Sequence, residues 1–132
     1  MLLNRPGTGD GAQKLRFLRE ARHFPERTRS VRLVETHFAW VFLTDRHAWK
    51  LKKPLRHWPL DYRTLARRER GCRDELELNR RLAPRVYEAV VPLVRRSDGH
   101  LQLGGAGRTV DWLVRMKRLP ATGLLDHAVR TG

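Results

Sequence analysis

The sequence predicts an α+β domain: an antiparallel sheet of about five strands, one long helix crossing it, and a shorter helix before it. Three stretches carry that expectation. Residues 35–54, ETHFAWVFLTDRHAWKLKKP, read as two strands joined by the polar turn Thr44-Asp45-Arg46-His47. Residues 109–119, TVDWLVRMKRL, alternate Val110, Trp112, Val114 and Met116 along another strand. Between them, residues 62–83 repeat apolar positions at helical spacing and stop at Pro84, which cannot continue a helix.

Taken in order, residues 1–12 hold Asn4, Pro6, Gly7, Gly9, Asp10 and Gly11 and read as a flexible leader. Residues 13–24 place Leu15, Leu18 and Ala21 at helical spacing and stop before Pro25. Residues 31–35 alternate as a strand, and the hairpin of residues 35–54 follows. Residues 55–61, with Trp58 and Pro59, read as a loop. Asp61 is the predicted N-cap of the long helix. Residues 86–94 form a strand, Ser97-Asp98-Gly99 a turn, and residues 100–103 a short return strand. Gly104, Gly105 and Gly107 lack the Lys and Ser/Thr of a phosphate-binding loop and read as a hairpin tip. Residues 13–120 thus make one lobe, and residues 121–132 its exit and the start of a helix cut short at Gly132.

A chain of 132 residues makes one domain at most, and 40% hydrophobic content argues for order despite 32% charged residues. No apolar run approaches the ~20 residues of a membrane span. The N-terminus lacks the apolar segment of a signal peptide. Cys72 is alone, so no disulfide framework exists. These features predict a cytoplasmic protein without a membrane partner. The formal charge of +14 suggests a polyanionic partner: nucleic acid, anionic lipid or a nucleotide. The excess is arginine scattered over every segment, with no zinc-finger spacing, heptad run or base-stacking motif. A basic nucleic-acid-binding or protein-interaction module is therefore the alternative reading. The six histidines are dispersed, and no metal site is expected from them.

Charged residues sit where apolar ones belong at two places in the sequence. Lys50 follows Ala48 on one face of an apolar hairpin strand, with Lys52 next on that face. On the long helix, Leu65, Cys72, Leu76, Asn79, Leu82 and Ala83 share a face, with Leu78 at its edge, and Glu75 falls inside the stripe. A carboxylate there is costly to bury unless a cation or several donors meet it. Lys50 is either a snorkelling edge residue or a cation placed for a ligand. Glu75 is either met by such a cation or donors, or lies at the margin of the stripe, where it bends to water or pairs with Arg68 of its own helix.

The order of elements, the Ala-x-Lys spacing at Ala48-Trp49-Lys50 and the helix glutamate resemble the nucleotide-binding lobe of protein-kinase-like folds. The runs ETHFAWVFLTDRHAWKLKKP, LDYRTLARRERGCRDELELNRRLAP and VDWLVRMKRLP closely resemble the N-terminal part of a bacterial family of uncharacterised kinase-like proteins. That family is related to aminoglycoside phosphotransferases, and many members carry a P-loop ATPase-like domain afterwards. The resemblance covers about residues 12–130.

It implies an ATP-binding lobe. Lys50 would contact the α- and β-phosphates and pair with Glu75, with Lys52 the competing phosphate lysine. Val41 and Ala48 would pack against adenine, Met116 would guard the back of the pocket, and the backbone of Lys117, Arg118 and Leu119 would form the hinge. Residues 35–39 would cover the phosphates, with His37 among them. This loop has no glycine, and Ala39 stands where the family commonly has serine. The catalytic aspartate and the Mg²⁺ ligands that phosphoryl transfer needs would lie on a C-terminal lobe, the expected partner of this one. No catalytic residue is expected in this chain, so by itself it would be inactive.

Overall fold

The computed structural model describes residues 9–118, with side chains from residue 11. The leader predicted for residues 1–8, the hinge residue Leu119 and the helix start predicted after it lie outside the described residues. In chain order the elements are α1 (Gly9–Leu18), a 3-10 turn (Ala21–His23), β1 (Arg32–Glu35), β2 (Ala39–Leu43), β3 (His47–Lys52), β4 (Arg56–His57), β5 (Leu60–Asp61), α2 (Leu65–Leu82), β6 (Tyr87–Arg95), β7 (Leu101–Leu103) and β8 (Arg108–Lys117). The α+β class holds.

One antiparallel sheet takes six strands in the order β1-β2-β3-β8-β6-β7, where about five were expected. The predicted loop over residues 55–61 instead contains a two-stranded ribbon, β4–β5, whose turn includes a cis Trp58–Pro59 bond. Strands of two residues carry no periodicity for a sequence reading to detect.

The period-2 alternation sorts side chains onto two apolar faces. Phe42, Trp49, Leu51, Leu93 and Leu113 point to one, where Leu18 and Phe24 of the N-terminal segment cover them. Val41, Leu43, Ala48, Val114 and Met116 point to the other, under Cys72 of α2. The first helix was expected to run to residue 24 and instead ends at Leu18. Leu18 and Phe24 are both buried in one cluster, yet on a continuous helix they would point roughly 120° apart. The 3-10 turn resolves that conflict.

Asp61 is not the cap of α2. Thr64 is: its hydroxyl accepts from the backbone N–H of Arg67 at 3.1 Å. The Asp61 carboxylate instead accepts from the backbone and guanidinium of Arg63 and from Arg67. Those Arg63 hydrogen bonds, with Arg67's charge adding to them, hold its carboxyl well below the usual carboxylate range. Thr64→Ala is expected to cost about 1 kcal/mol, read as a shift in the urea midpoint. A silent Thr64→Ala beside a costly Asp61→Ala would return the cap to Asp61.

The predicted inward face of α2 holds at Leu65, Cys72, Glu75, Leu76, Asn79 and Ala83, and departs from the expectation at Leu82, near its C-terminal end. Leu78 and Leu82 are exposed, at 60% and 85%, whereas the buried residues are Arg68 and Cys72. One row of that face runs Arg68, Cys72, Glu75, Asn79, at spacings of four, three and four. It is mostly polar, and its charged members are paired.

Candidate functional site

Strand β3 is flanked by β2 and β8, with Val41 and Val114 opposite Lys50. Ala48, Lys50 and Lys52 therefore stand on the α2 side, where the strand's alternation puts them. Helix α2 packs on β8 and β6 and lowers Glu75 onto both lysines. Lys50 Nζ donates to Oε2 of Glu75 at 2.8 Å, and Lys52 Nζ donates to Oε1 at 2.7 Å. The alternative pairing of Glu75 with Arg68 is overturned, because Arg68 is committed to Asp111.

The two lysines differ in surroundings. The Lys50 side chain keeps 21% of its surface exposed and Lys52 only 8%. Lys52 also lies over the Tyr62 ring, 4.9 Å from its centroid. Gly71 makes that stack possible: a Cβ there would stand 2.7 Å from Cε1 of Tyr62 and 3.3 Å from Cε of Lys52.

Burial alone would push the Glu75 carboxyl up. The charges of Lys50 and Lys52 and the hydrogen bonds they donate outweigh it and hold the carboxyl below its ordinary value. Burial likewise opposes the charge on Lys52, but Glu75 more than compensates and raises its pKa. Cys72, one turn before Glu75, is pushed up to about 12 by burial and donates weakly to the Trp112 carbonyl, so it is an inert thiol. A cleft of about 770 Å³ opens beside Lys52 and Glu75, between α2 and the β4–β5 ribbon, with Tyr62, Arg70 and Asn79 among its walls.

The remaining predicted residues are placed as follows. Val41, Ala48 and Met116 do converge on one face, but as a closed apolar cluster with Cys72, at 0–1% exposure. The backbone N–H of Lys117 donates to Val86 and that of Arg118 to Arg46, so neither is free to meet a ligand. Arg118 further clamps the β2–β3 turn through the Thr44 carbonyl. In the turn before β2, the Thr36 hydroxyl and amide close onto Ala39, which consumes the amides of Thr36 and Ala39. His37 is exposed at the tip and makes edge contacts with Phe38 and His57 instead of a backbone hydrogen bond.

Sequence reasoning missed Asp111. Its side chain, 4% exposed, accepts from Arg68 Nε of α2 at 2.9 Å and from Lys14 Nζ of α1 at 3.0 Å. The carboxylate thereby ties together the two helices on opposite faces of the sheet. The signal was present: an acid inside an apolar strand is the same anomaly as an acid inside an apolar helix stripe.

No family model matches the chain, and no solved structure matches it. Similar sequences occur in uncharacterised proteins of Mycobacterium bovis and Mycobacterium tuberculosis, each 44% identical over 68 residues. The match covers 52% of this chain and 14% of each relative, so this chain spans a small part of the length of the curated relatives it matches. No helix among the described residues is long and apolar enough to cross a membrane.

Proposed function

We propose that this chain is the ATP-binding lobe of a phosphotransferase resembling the aminoglycoside phosphotransferases, with the acceptor bound and the phosphoryl group moved by residues outside the described lobe. One observation carries the reading: the ion pair between Lys50 of the central strand and Glu75 of the crossing helix, 2.8 Å long and 25 residues apart in sequence. That pairing is what the resemblance implies. A surface salt bridge of opportunity would be a poor alternative, since Glu75 is only 13% exposed.

The residues fit a polyphosphate. Two ammonium groups share one carboxylate, which leaves a surplus positive charge in a partly desolvated place, where charge-assisted hydrogen bonds to phosphate oxygens are strongest. Lys50 donates to the phosphates, and Glu75 sets where its ammonium stands. The base would pack beside Val41, Ala48 and Met116, whose burial means that adenine enters only by opening that cluster. The amides of Lys117 and Arg118 are already engaged within the fold, so a hinge hydrogen bond donated to the base would not come from them.

Lys50→Met is expected to weaken ATP binding about 10- to 100-fold, the worth of one charge-assisted hydrogen bond. Its folding midpoint should move little, because Lys52 still neutralises Glu75. Titration calorimetry with the whole chain reads this. Unchanged ATP affinity in Lys50→Met overturns the assignment, and salt-sensitive RNA or duplex binding that survives the substitution would favour the basic-module alternative.

A further inference from the structure

A single lysine would suffice to neutralise Glu75, yet two meet it, one on each carboxylate oxygen. A lysine that served alone would face a conflict. On turning to a ligand phosphate it would leave a buried carboxylate without a cation, at a cost of several kcal/mol. A second lysine removes the conflict, provided that it stays.

Every contact of Lys52 holds it in place. Its ammonium is fixed by Glu75 at 2.7 Å, its side chain lies over Tyr62, and its Cδ and Cε run along the bare backbone of Gly71. Among the described residues, Glu75 is the hydrogen-bonding partner of Lys50, and no ring lies over its ammonium. It is also the more exposed of the two, at 21% against 8%. We propose that Lys52 is a positioning residue, a standing counter-ion that keeps Glu75 ionised and in place while Lys50 exchanges between Glu75 and a phosphate oxygen. The proposal rests on the phosphate-binding reading above and goes beyond it, because it divides one task between two lysines.

The groups facing Glu75 are Lys50 and Lys52 from β3, Tyr87 from β6 and Cys72 from its own helix. Burial, with the charge of Glu75 adding to it, raises the Tyr87 hydroxyl, and burial raises the Cys72 thiol, so both are neutral near pH 7. Only the two lysines oppose the desolvation that pushes the Glu75 proton affinity up. With Lys52 gone, Lys50 is held by an ionised Glu75 that has no other cation. Because the carboxyl then takes up a proton at higher pH than in the parent protein, acid releases Lys50 to the phosphate.

The test uses the full chain with metal-free ATP and inorganic tripolyphosphate as probes, in calorimetric titrations from about pH 8 to about pH 5.5. Dividing each variant's affinity by that of the parent at the same pH cancels the ligand's own protonation. For Lys52→Met the ratio should fall about tenfold or more at the upper pH, where Lys50 alone must answer an ionised Glu75. It should recover toward one at the lower pH as the carboxyl is protonated. Lys52→Arg should restore the parent profile, and Lys50→Met should be weak throughout. A Lys52→Met loss as large as that of Lys50→Met at every pH would make Lys52 itself a phosphate ligand. No loss at any pH would make it idle. Either result overturns the proposal. If Lys52→Met does not fold, lysine ammonium NMR of the parent protein decides: tripolyphosphate should shift the Lys50 Nζ resonance and leave that of Lys52 in place, and a shift of Lys52 overturns the proposal. Failure of the parent protein to bind either probe removes the phosphate-binding reading and this inference with it.

Discussion

Glu75→Gln is expected to cost about 3 kcal/mol of folding stability, near the lower end for breaking a buried ion pair. The loss arises mainly at Lys52, whose side chain is 8% exposed and would be left charged against a neutral amide. Lys50, at 21%, can reach water more easily. For a domain of this size such a loss lowers the melting temperature on the order of 15 °C, measurable by circular dichroism. A shift under about 3 °C would mean that the cluster is solvated and weak.

The same cluster sets a dependence on pH. The folded-state pKa of Glu75 is depressed, so its contribution is present above the ordinary value of 4.5 and is lost as pH falls below that value through the folded one. That of Lys52 is raised, so its contribution is complete below the ordinary 10.5 and is lost as pH rises beyond it. Glu75→Gln should therefore flatten the acid limb of the stability profile below about pH 4.5. Replacing the whole cluster separates stability from function. The combination Lys50→Met, Lys52→Met, Glu75→Leu should recover most of the lost stability, as apolar replacement of buried ion pairs often does, but no phosphate binding.

The second large effect is expected at Asp111. Asp111→Asn should cost about 3–5 kcal/mol, because it leaves Arg68 and Lys14 charged at 8% and 12% exposure. Arg68 is not free to follow solvent, since its guanidinium also donates to the carbonyls of Tyr62 and Arg63 ahead of α2. A double-mutant cycle with Arg68→Met should return a coupling of more than about 1 kcal/mol. Additive losses would show that Asp111 and Arg68 act independently.

The candidate site was half legible in the sequence. Glu75 stood out because an acid interrupts an apolar helix stripe, and Lys50 because a cation follows Ala48 on an apolar strand. The resemblance joined them, and they meet at 2.8 Å. Lys50 alone was expected to pair with Glu75, with Lys52 its competitor for the phosphates. Both lysines meet Glu75, because a carboxylate has two oxygens and the strand presents both on one face. The helix stripe was legible at Cys72, Glu75 and Asn79, which do face the sheet. It was not legible at Arg68, which is buried, or at Leu82, which faces out, because helical spacing does not say how far along the helix the sheet reaches.

What the sequence determined by itself is local: the two strands of the lysine hairpin, the long strand β8, the existence of α2, and the anomaly of charged groups in apolar surroundings. Side-chain periodicities of 2.0 and 3.6 are properties of the backbone and need no neighbour. Only the tertiary structure decided how those charges are answered. Lys50 and Glu75 lie 25 residues apart, Arg68 and Asp111 43, and Lys14 and Asp111 97. Such pairs exist because β8 inserts between β3 and β6 and the two helices take opposite faces of the sheet. Burial then decides which charges must be paired, and burial is a property of the assembled layers.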